Sequence, residues 1–281
     1  MTEVLSPETV EDAVALLAEH EEAMPLSGGA TLIAMRNASL VEPTHLVSLD
    51  RIAALRGITR TEEGGFRIGA MTRHCETAAC ADLTGSFYVL RRAAGMIANR
   101  VVRNMGTMGG SVANADPAAD YLPALACCDA VLDIAGPEGR RQLSILDYVE
   151  DWYETALEEG EIITAITLPA PVEASSTYRK IARVSGDYAT ASCAMSLDAD
   201  GQGLRVAIGA CGPGPLRDRD GEAALRGKLD DPAAVAEFAG RLVALADPVD
   251  DVRGSAEYRL RLIPRLVTSV LSELTQQKEM A

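Results

Sequence analysis

Apolar residues at Val10, Ala13, Val14 and Leu17 fall on one face of a helix, and Thr9 with Asp12 opens that helix in the pattern of a capping box. An extended run, Met24-Pro25-Leu26, leads into Ser27-Gly28-Gly29-Ala30-Thr31. Residues 31–37 then read as a short helix, and His45 to Leu49 alternates like a strand. These elements predict a small α/β unit over residues 1–50.

From Ile58 the pattern changes to short strands such as Phe66-Arg67-Ile68, interrupted by helices predicted over 72–81 and 87–98. A glycine-rich loop follows the latter helix directly. A short apolar helix over 122–128 opens at Asp120, and strands are predicted at 131–134, 141–143 and 162–168. Pro169-Ala170-Pro171 punctuates the chain and closes a second unit over 51–170. Beyond it, strands at 178–183, 191–197 and 204–209 precede helices at 232–246 and 257–274, the first carrying Val235, Phe238, Leu242 and Leu245 on one face. Strands followed by helices predict an α+β domain over 175–277. Gly212-Pro213-Gly214-Pro215 reads as a stiff turn.

With 281 residues, 48% of them apolar, the chain has enough material for cores in all these units. Its formal net charge of −15 argues against non-specific binding of nucleic acid or anionic lipid, which favour an excess of Lys and Arg. No apolar run approaches a membrane span, and Met-Thr-Glu-Val-Leu-Ser-Pro lacks the regions of a signal peptide, so a cytoplasmic protein is expected. The six cysteines, at 75, 80, 127, 128, 193 and 211, are then expected as buried thiols. Cys75 and Cys80 have the first interval of a plant-type iron–sulfur motif, but Leu83 stands where a third ligand belongs. With His20, His45 and His74 scattered singly, no metal site is expected in this chain.

The chemistry concentrates in two glycine pairs. Gly109-Gly110, inside Arg103-Asn104-Met105-Gly106-Thr107-Met108-Gly109-Gly110-Ser111-Val112-Ala113-Asn114-Ala115-Asp116-Pro117, makes a backbone that can approach a diphosphate closely, with N–H groups as donors to phosphate oxygens. Asp116 and Asp120 are suited to accept from hydroxyls of a ribose or ribityl chain, although Asp116, before Pro117, is also placed to shape a turn. Gly28-Gly29 leads from a strand into a helix, whose first amides attract an anion. Neither loop has the G-x-G-x-x-G spacing of a Rossmann site, the P-loop pattern is absent, and Gly109-Gly110-Ser111 has the wrong spacing for a nucleophile elbow.

Pro25-Leu26-Ser27-Gly28-Gly29-Ala30-Thr31-Leu32 and the 103–117 stretch resemble the two flavin-diphosphate loops of the FAD-binding medium subunit of molybdenum hydroxylases, the family of carbon monoxide dehydrogenase and xanthine dehydrogenase. Gly186-Asp187-Tyr188-Ala189-Thr190-Ala191 and Gly160-Glu161-Ile162-Ile163-Thr164 extend the resemblance along nearly the whole chain. Ala30-Thr31 replaces the commoner His-Ser of the first loop, and Ser111 an Asn seen in several relatives. The resemblance implies an α+β protein: a two-subdomain FAD-binding domain of the two-loop, vanillyl-alcohol-oxidase-like class, with a small-sheet C-terminal domain.

By the same resemblance Ser27, Gly28, Gly29, Ala30 and Thr31, together with Thr107, Gly109, Gly110, Ser111 and Asn114, would hold the diphosphate through main-chain and hydroxyl groups, with Ile33 packed behind the first loop. Ile97, Ala98 and Val102 would line the cofactor channel, Asp120 would hold a sugar or ribityl hydroxyl, and Ile163 would touch the adenine side. Lys180, Asp187 and Tyr188 would reach the isoalloxazine, Tyr188 covering one face. No residue takes a catalytic acid–base role.

The implied function is electron transfer. Electrons would arrive from [2Fe–2S] clusters of a small subunit, fed by the molybdenum–pterin cofactor of a large subunit, and leave from FAD to an external acceptor. The assembly would be a dimer of heterotrimers. Two other readings stay open here: a self-sufficient FAD-dependent oxidoreductase with its own small substrate, and a non-catalytic nucleotide-binding scaffold. CO, a nicotine-like heterocycle, a purine and an aldehyde are all compatible substrates of the whole enzyme.

Overall fold

The computed structural model describes residues 2–280, with side chains described through residue 276. The first 50 residues form strands β1 (Glu3–Leu5), β2 (Met24–Leu26) and β3 (His45–Ser48), with helices α1 (Val10–Glu19) and α2 (Leu32–Asn37). Their sheet is parallel, in the order β1-β3-β2. Thr9 caps α1 by accepting from the Asp12 amide at 3.0 Å, and Val10, Ala13, Val14 and Leu17 are buried as their spacing requires. This core is not self-contained, because Leu55, Met71, Ala135 and Ile162 complete it.

The second unit contains β4 (Ile58–Arg60), β5 (Phe66–Gly69), β6 (Val131–Gly136), β7 (Gly139–Ser144), the hairpin β8 (Val149–Asp151) with β9 (Glu154–Thr155), and β10 (Ile162–Leu168). Its antiparallel sheet runs β4-β5-β10-β6-β7. The apolar run of β10 sits at the sheet centre. Helices α3 (His74–Ala79), α4 (Tyr88–Met96), α5 (Arg100–Met105), α6 (Met108–Asn114) and α7 (Tyr121–Cys127) complete the unit. The sequence pattern predicted one glycine-rich loop after α4; the chain instead makes two short helices there. Asn99 caps α5 by accepting from Val101 and Val102, and Thr107 caps α6 by accepting from Gly110. Two local N-caps outweigh the low helix propensity of glycine.

The last unit is an antiparallel meander, β11 (Ala174–Ile181), β12 (Ala191–Asp198) and β13 (Leu204–Gly209), followed by α8 (Arg219–Leu225), α9 (Pro232–Leu245) and α10 (Ala256–Met280). Helix α8 and the β8–β9 hairpin were not anticipated. Strand β12 is covered on both faces, which accounts for its continuous burial. Ala191, Cys193, Met195 and Leu197 join the core beneath α9 and α10, whereas Ala194 joins the core of the second unit with Tyr178 and Ala207. Among the described residues no helix is long and apolar enough to cross a membrane.

His74, the first residue of α3, ties this scaffold to the glycine-rich segment: its amide donates to the Gly106 carbonyl at 3.0 Å. Its ring is buried against Tyr121, and among the described residues Nδ1 has no hydrogen-bond partner. Burial, aided by the nearby Arg103 charge, pushes the His74 pKa down from 6.5 to about 4. The unfolded chain therefore binds a proton that the folded chain refuses between these values, so His74 makes stability fall as pH drops from 6.5 towards 4. The contribution is on the order of 3 kcal/mol. Urea denaturation across this window should give a shallower pH slope for His74→Gln than for the unsubstituted chain; equal slopes would refute the assignment.

Candidate functional site

The two glycine pairs meet. Residues 27–31 join β2 to α2, and Gly28 lies so close to the second segment that a Cβ there would stand 2.0 Å from the Met105 carbonyl oxygen. Beside it, Ser27 Oγ and Thr107 Oγ1 are 2.6 Å apart. Thr107 Oγ1 accepts from the Gly110 amide at 3.2 Å, so its own hydrogen is available for Ser27, and Ser27 Oγ donates onward to Met71 Sδ at 3.1 Å. Each hydroxyl therefore donates and accepts once, locking segments about 80 residues apart.

The two segments offer different things to an anion. In the first, the amides of Gly28, Gly29, Ala30 and Thr31 donate to no protein acceptor among the described residues, while Ile33 and Met35 already donate to Gly29 and Thr31. Gly29 takes φ +73°, and Ile33 packs against it: a Cβ there would lie 3.2 Å from Ile33 Cγ1. In the second segment the main-chain donors from Met108 to Ser111 are occupied. Met108 donates to Thr72, Gly109 to Ala70, Ser111 to the Thr107 carbonyl and Gly110 to the Thr107 hydroxyl. What remains there is the Thr107 amide, which has no protein acceptor among the described residues, and the side chains of Ser111 and Asn114, three apart on α6 and so on one face. Gly109 and Gly110 serve approach rather than donation: a Cβ on Gly109 would stand 2.5 Å from that of Ala70, and one on Gly110 2.9 Å from Thr107 Oγ1. Unspent amides on one side and backbone stripped of bulk on the other fit a diphosphate.

A second wall forms where α4 ends. Lys180 Nζ donates to the Met96 carbonyl and to Asp120, both at 3.0 Å, and Tyr178 donates its hydroxyl to Asp120 Oδ1 at 2.6 Å. Arg103 donates to the carbonyls of Ile97 and Ala98 at 2.7 and 2.8 Å. The turn at Ile97 and Ala98, the latter at φ +40°, is thereby pinned from two sides, with Val102 half-buried one helical turn further on. Lys180 and Asp120 are only 4% and 6% exposed and satisfy each other. Lys180 thus braces the turn at the end of α4. Burial raises the Asp120 pKa, opposed by the Lys180 charge and the Tyr178 hydroxyl.

Asp187 and Tyr188 lie on the β11–β12 connection. Gly186, at φ +84°, is pressed so tightly on the Ala98 carbonyl that a Cβ would come within 2.6 Å, placing Tyr188 beside the wall. Tyr188 is 39% exposed, and the Arg253 guanidinium lies 5.0 Å from its ring centroid. Burial pushes its phenol up to about 12. The Ile163 side chain is buried in the main core, which also takes in Met108 and Val112 of α6. Asp116 shapes its turn, Oδ1 accepting from the Ala118 amide at 2.9 Å. Among the described residues no three His, Cys, Asp or Glu side chains gather as a metal site. Sequence reasoning missed Tyr178, Met71 and Arg253; the run Asp250-Asp251-Val252-Arg253-Gly254-Ser255 before α10 was the available signal for the last.

The chain matches the model described as the FAD binding domain in molybdopterin dehydrogenase over residues 1–171, and that of the CO dehydrogenase flavoprotein C-terminal domain over 176–274. It is 37% identical to the carbon monoxide dehydrogenase medium chain of Afipia carboxidovorans, over 91% of this chain and 90% of that one. A chain of a solved Cu,Mo-CO dehydrogenase superposes with a TM-score of 0.94 at 33% identity, covering 100% of this chain and 99% of that one. A chain of quinoline 2-oxidoreductase from Pseudomonas putida 86 gives 0.91 at 27% identity, covering 99% and 98%.

The close approach of the two segments is testable without any ligand. Gly28→Ala should cost about 1–3 kcal/mol of unfolding free energy, because the Met105 backbone must move. Gly95→Ala, in α4 with nothing within 4 Å of the added carbon, should be neutral or stabilising. Equal effects of the two substitutions in urea melts would contradict the geometry.

Proposed function

From the premise that this chain belongs to the family of FAD-binding domains of molybdopterin dehydrogenases, we propose that it is the flavin subunit of a molybdenum hydroxylase, relaying electrons from partner chains to an external acceptor. The observation that supports the cofactor is the close approach of the two segments: amides at Gly28 to Thr31 that donate to no protein acceptor among the described residues, near a glycine pair where an added Cβ would stand 2.5 Å from the Ala70 Cβ at Gly109 and 2.9 Å from Thr107 Oγ1 at Gly110. Bound FAD supplies a centre that takes electrons singly and releases them in pairs. The chain's own groups do the rest. The first segment donates main-chain hydrogen bonds to the diphosphate, Ser111 and Asn114 add side-chain contacts, and the Ser27–Thr107 lock fixes the distance between the two halves. Asp120, Lys180 and Tyr178 hold the turn at Ile97 and Ala98 that lines the channel, and Tyr188 covers one face of the flavin ring.

The partners belong to the same reading. A large molybdopterin subunit would oxidise the substrate, a small iron–sulfur subunit would carry electrons through two [2Fe–2S] clusters, and the complex would be a dimer of such heterotrimers. Support comes from the medium-chain relative, which this chain matches over nine-tenths of its length, and from the similarity to chains of solved molybdenum and heterocycle oxidoreductases.

The complex purified through this chain should carry two further polypeptides, show flavin absorption and release one FAD per chain on denaturation. Gly110→Val, which forces a branched side chain against Thr107 and Ser27, should leave the complex assembled and depleted of FAD. A folded complex without flavin, or undiminished FAD in Gly110→Val, would overturn the assignment.

A further inference from the structure

Tyr188 has no hydrogen-bond partner for its hydroxyl among the described residues, so something else must fix its ring. The segment before α10 supplies it. The chain at 251–254 closes on itself, with Asp251 and Gly254 exchanging main-chain hydrogen bonds at 3.1 and 3.3 Å. Asp251 Oδ1 accepts from the amides of Arg253 and Gly254 at 2.8 and 3.2 Å and from the Arg259 guanidinium. Arg259, itself buried, donates to the carbonyls of Thr190 and Ala210 at 2.7 and 2.9 Å, and Thr190 Oγ1 donates to the Arg253 carbonyl at 3.3 Å. This turn is therefore bolted at two points to the foot of the connection that carries Tyr188.

From this turn the Arg253 side chain extends over Tyr188. The guanidinium lies over the Tyr188 ring, 3.3 Å from Asp251 Oδ2 and 4.0 Å from Asp187 Oδ1. Its Nε is buried and makes no hydrogen bond among the described residues. Stacking and charge, not a directional hydrogen bond, hold the two side chains together. A guanidinium on one face of a tyrosine leaves the other face for a second planar group. We infer that Arg253 is a positioning residue: it clamps the outer face of Tyr188 so that the inner face stays over the flavin and limits access to it.

This rests on the reading that Tyr188 covers the ring, and the two ideas separate experimentally. The test uses the holo-complex with Tyr188→Ala, Arg253→Gln, Arg253→Lys and the double variant Tyr188→Ala/Arg253→Gln. Each is checked for FAD content and melting temperature, then measured for flavin fluorescence and for reoxidation by ferricyanide after reduction with dithionite. Losing a cation–π contact of ordinary strength should uncover the ring enough to raise both signals about two- to five-fold in Arg253→Gln. Arg253→Lys keeps the charge between Asp187 and Asp251 without the planar face, and should fold and fall between wild type and Arg253→Gln. The double variant should match Tyr188→Ala, because a clamp with nothing to hold does nothing further.

Wild-type signals from both Arg253 variants, beside a clear change in Tyr188→Ala, would overturn the clamp alone. Independent, multiplying effects in the double variant would do the same. No change in Tyr188→Ala would sink the covering role and the clamp together. If Arg253→Gln does not fold, Arg253→Lys decides: a signal at the wild-type level refutes the clamp.

Discussion

Two segments that are distant in sequence touch through almost nothing but backbone and hydroxyls, and the rest of the site follows from that contact. Gly28 sits against the Met105 carbonyl at a distance no Cβ would permit, and the Thr107–Ser27–Met71 chain of hydrogen bonds holds the approach. Separating these segments would disperse the donors that the proposed function assigns to a diphosphate. The contact also joins the parallel sheet of the first unit to the helices of the second, which already lends Met71, Ala135 and Ile162 to the first unit's core. The proposed cofactor site and the subdomain junction are thus one piece of structure.

Around that junction the charged groups are largely spent on the protein itself. Lys180 and Asp120 pair in the interior, Arg103 serves two carbonyls, and Arg259 braces the foot of the Tyr188 connection. Buried ions so paired add little to net stability. Removing one partner would strand the other, which makes these pairs effective at fixing geometry. Buried charges hold the turns of this wall in place, and in the proposed function contact with the cofactor falls to amides, small residues and Tyr188.

Much of this was legible in the chain. Thr9 with its apolar stripe, the run of β10 and the strand-to-helix passage at Gly28 each encode their element locally, and local patterns survive folding. The 103–117 stretch was misread as a loop, because glycine composition hid the two N-caps at Asn99 and Thr107. Its amides were assigned outward when they are used inward by Thr72 and Ala70, partners that only tertiary structure brings near. Lys180 and Asp120, 60 residues apart, have no local signature, and the run at 250–255 signals Arg253 but not its place over Tyr188. The β8–β9 hairpin is too short to carry a period. Pairings across units set these positions, and no single-segment pattern encodes them.

The dependence of cofactor binding on the lock between the two segments is most directly measured by a double-mutant cycle on FAD dissociation with Ser27→Ala and Thr107→Val. If the hydroxyl pair holds the cradle closed, each single substitution weakens FAD binding, and the second adds little once the first is present, with a coupling of about 1 kcal/mol. Strictly additive losses, or unaltered affinity in both single variants, would show that the cradle keeps its shape without the contact and would contradict this account.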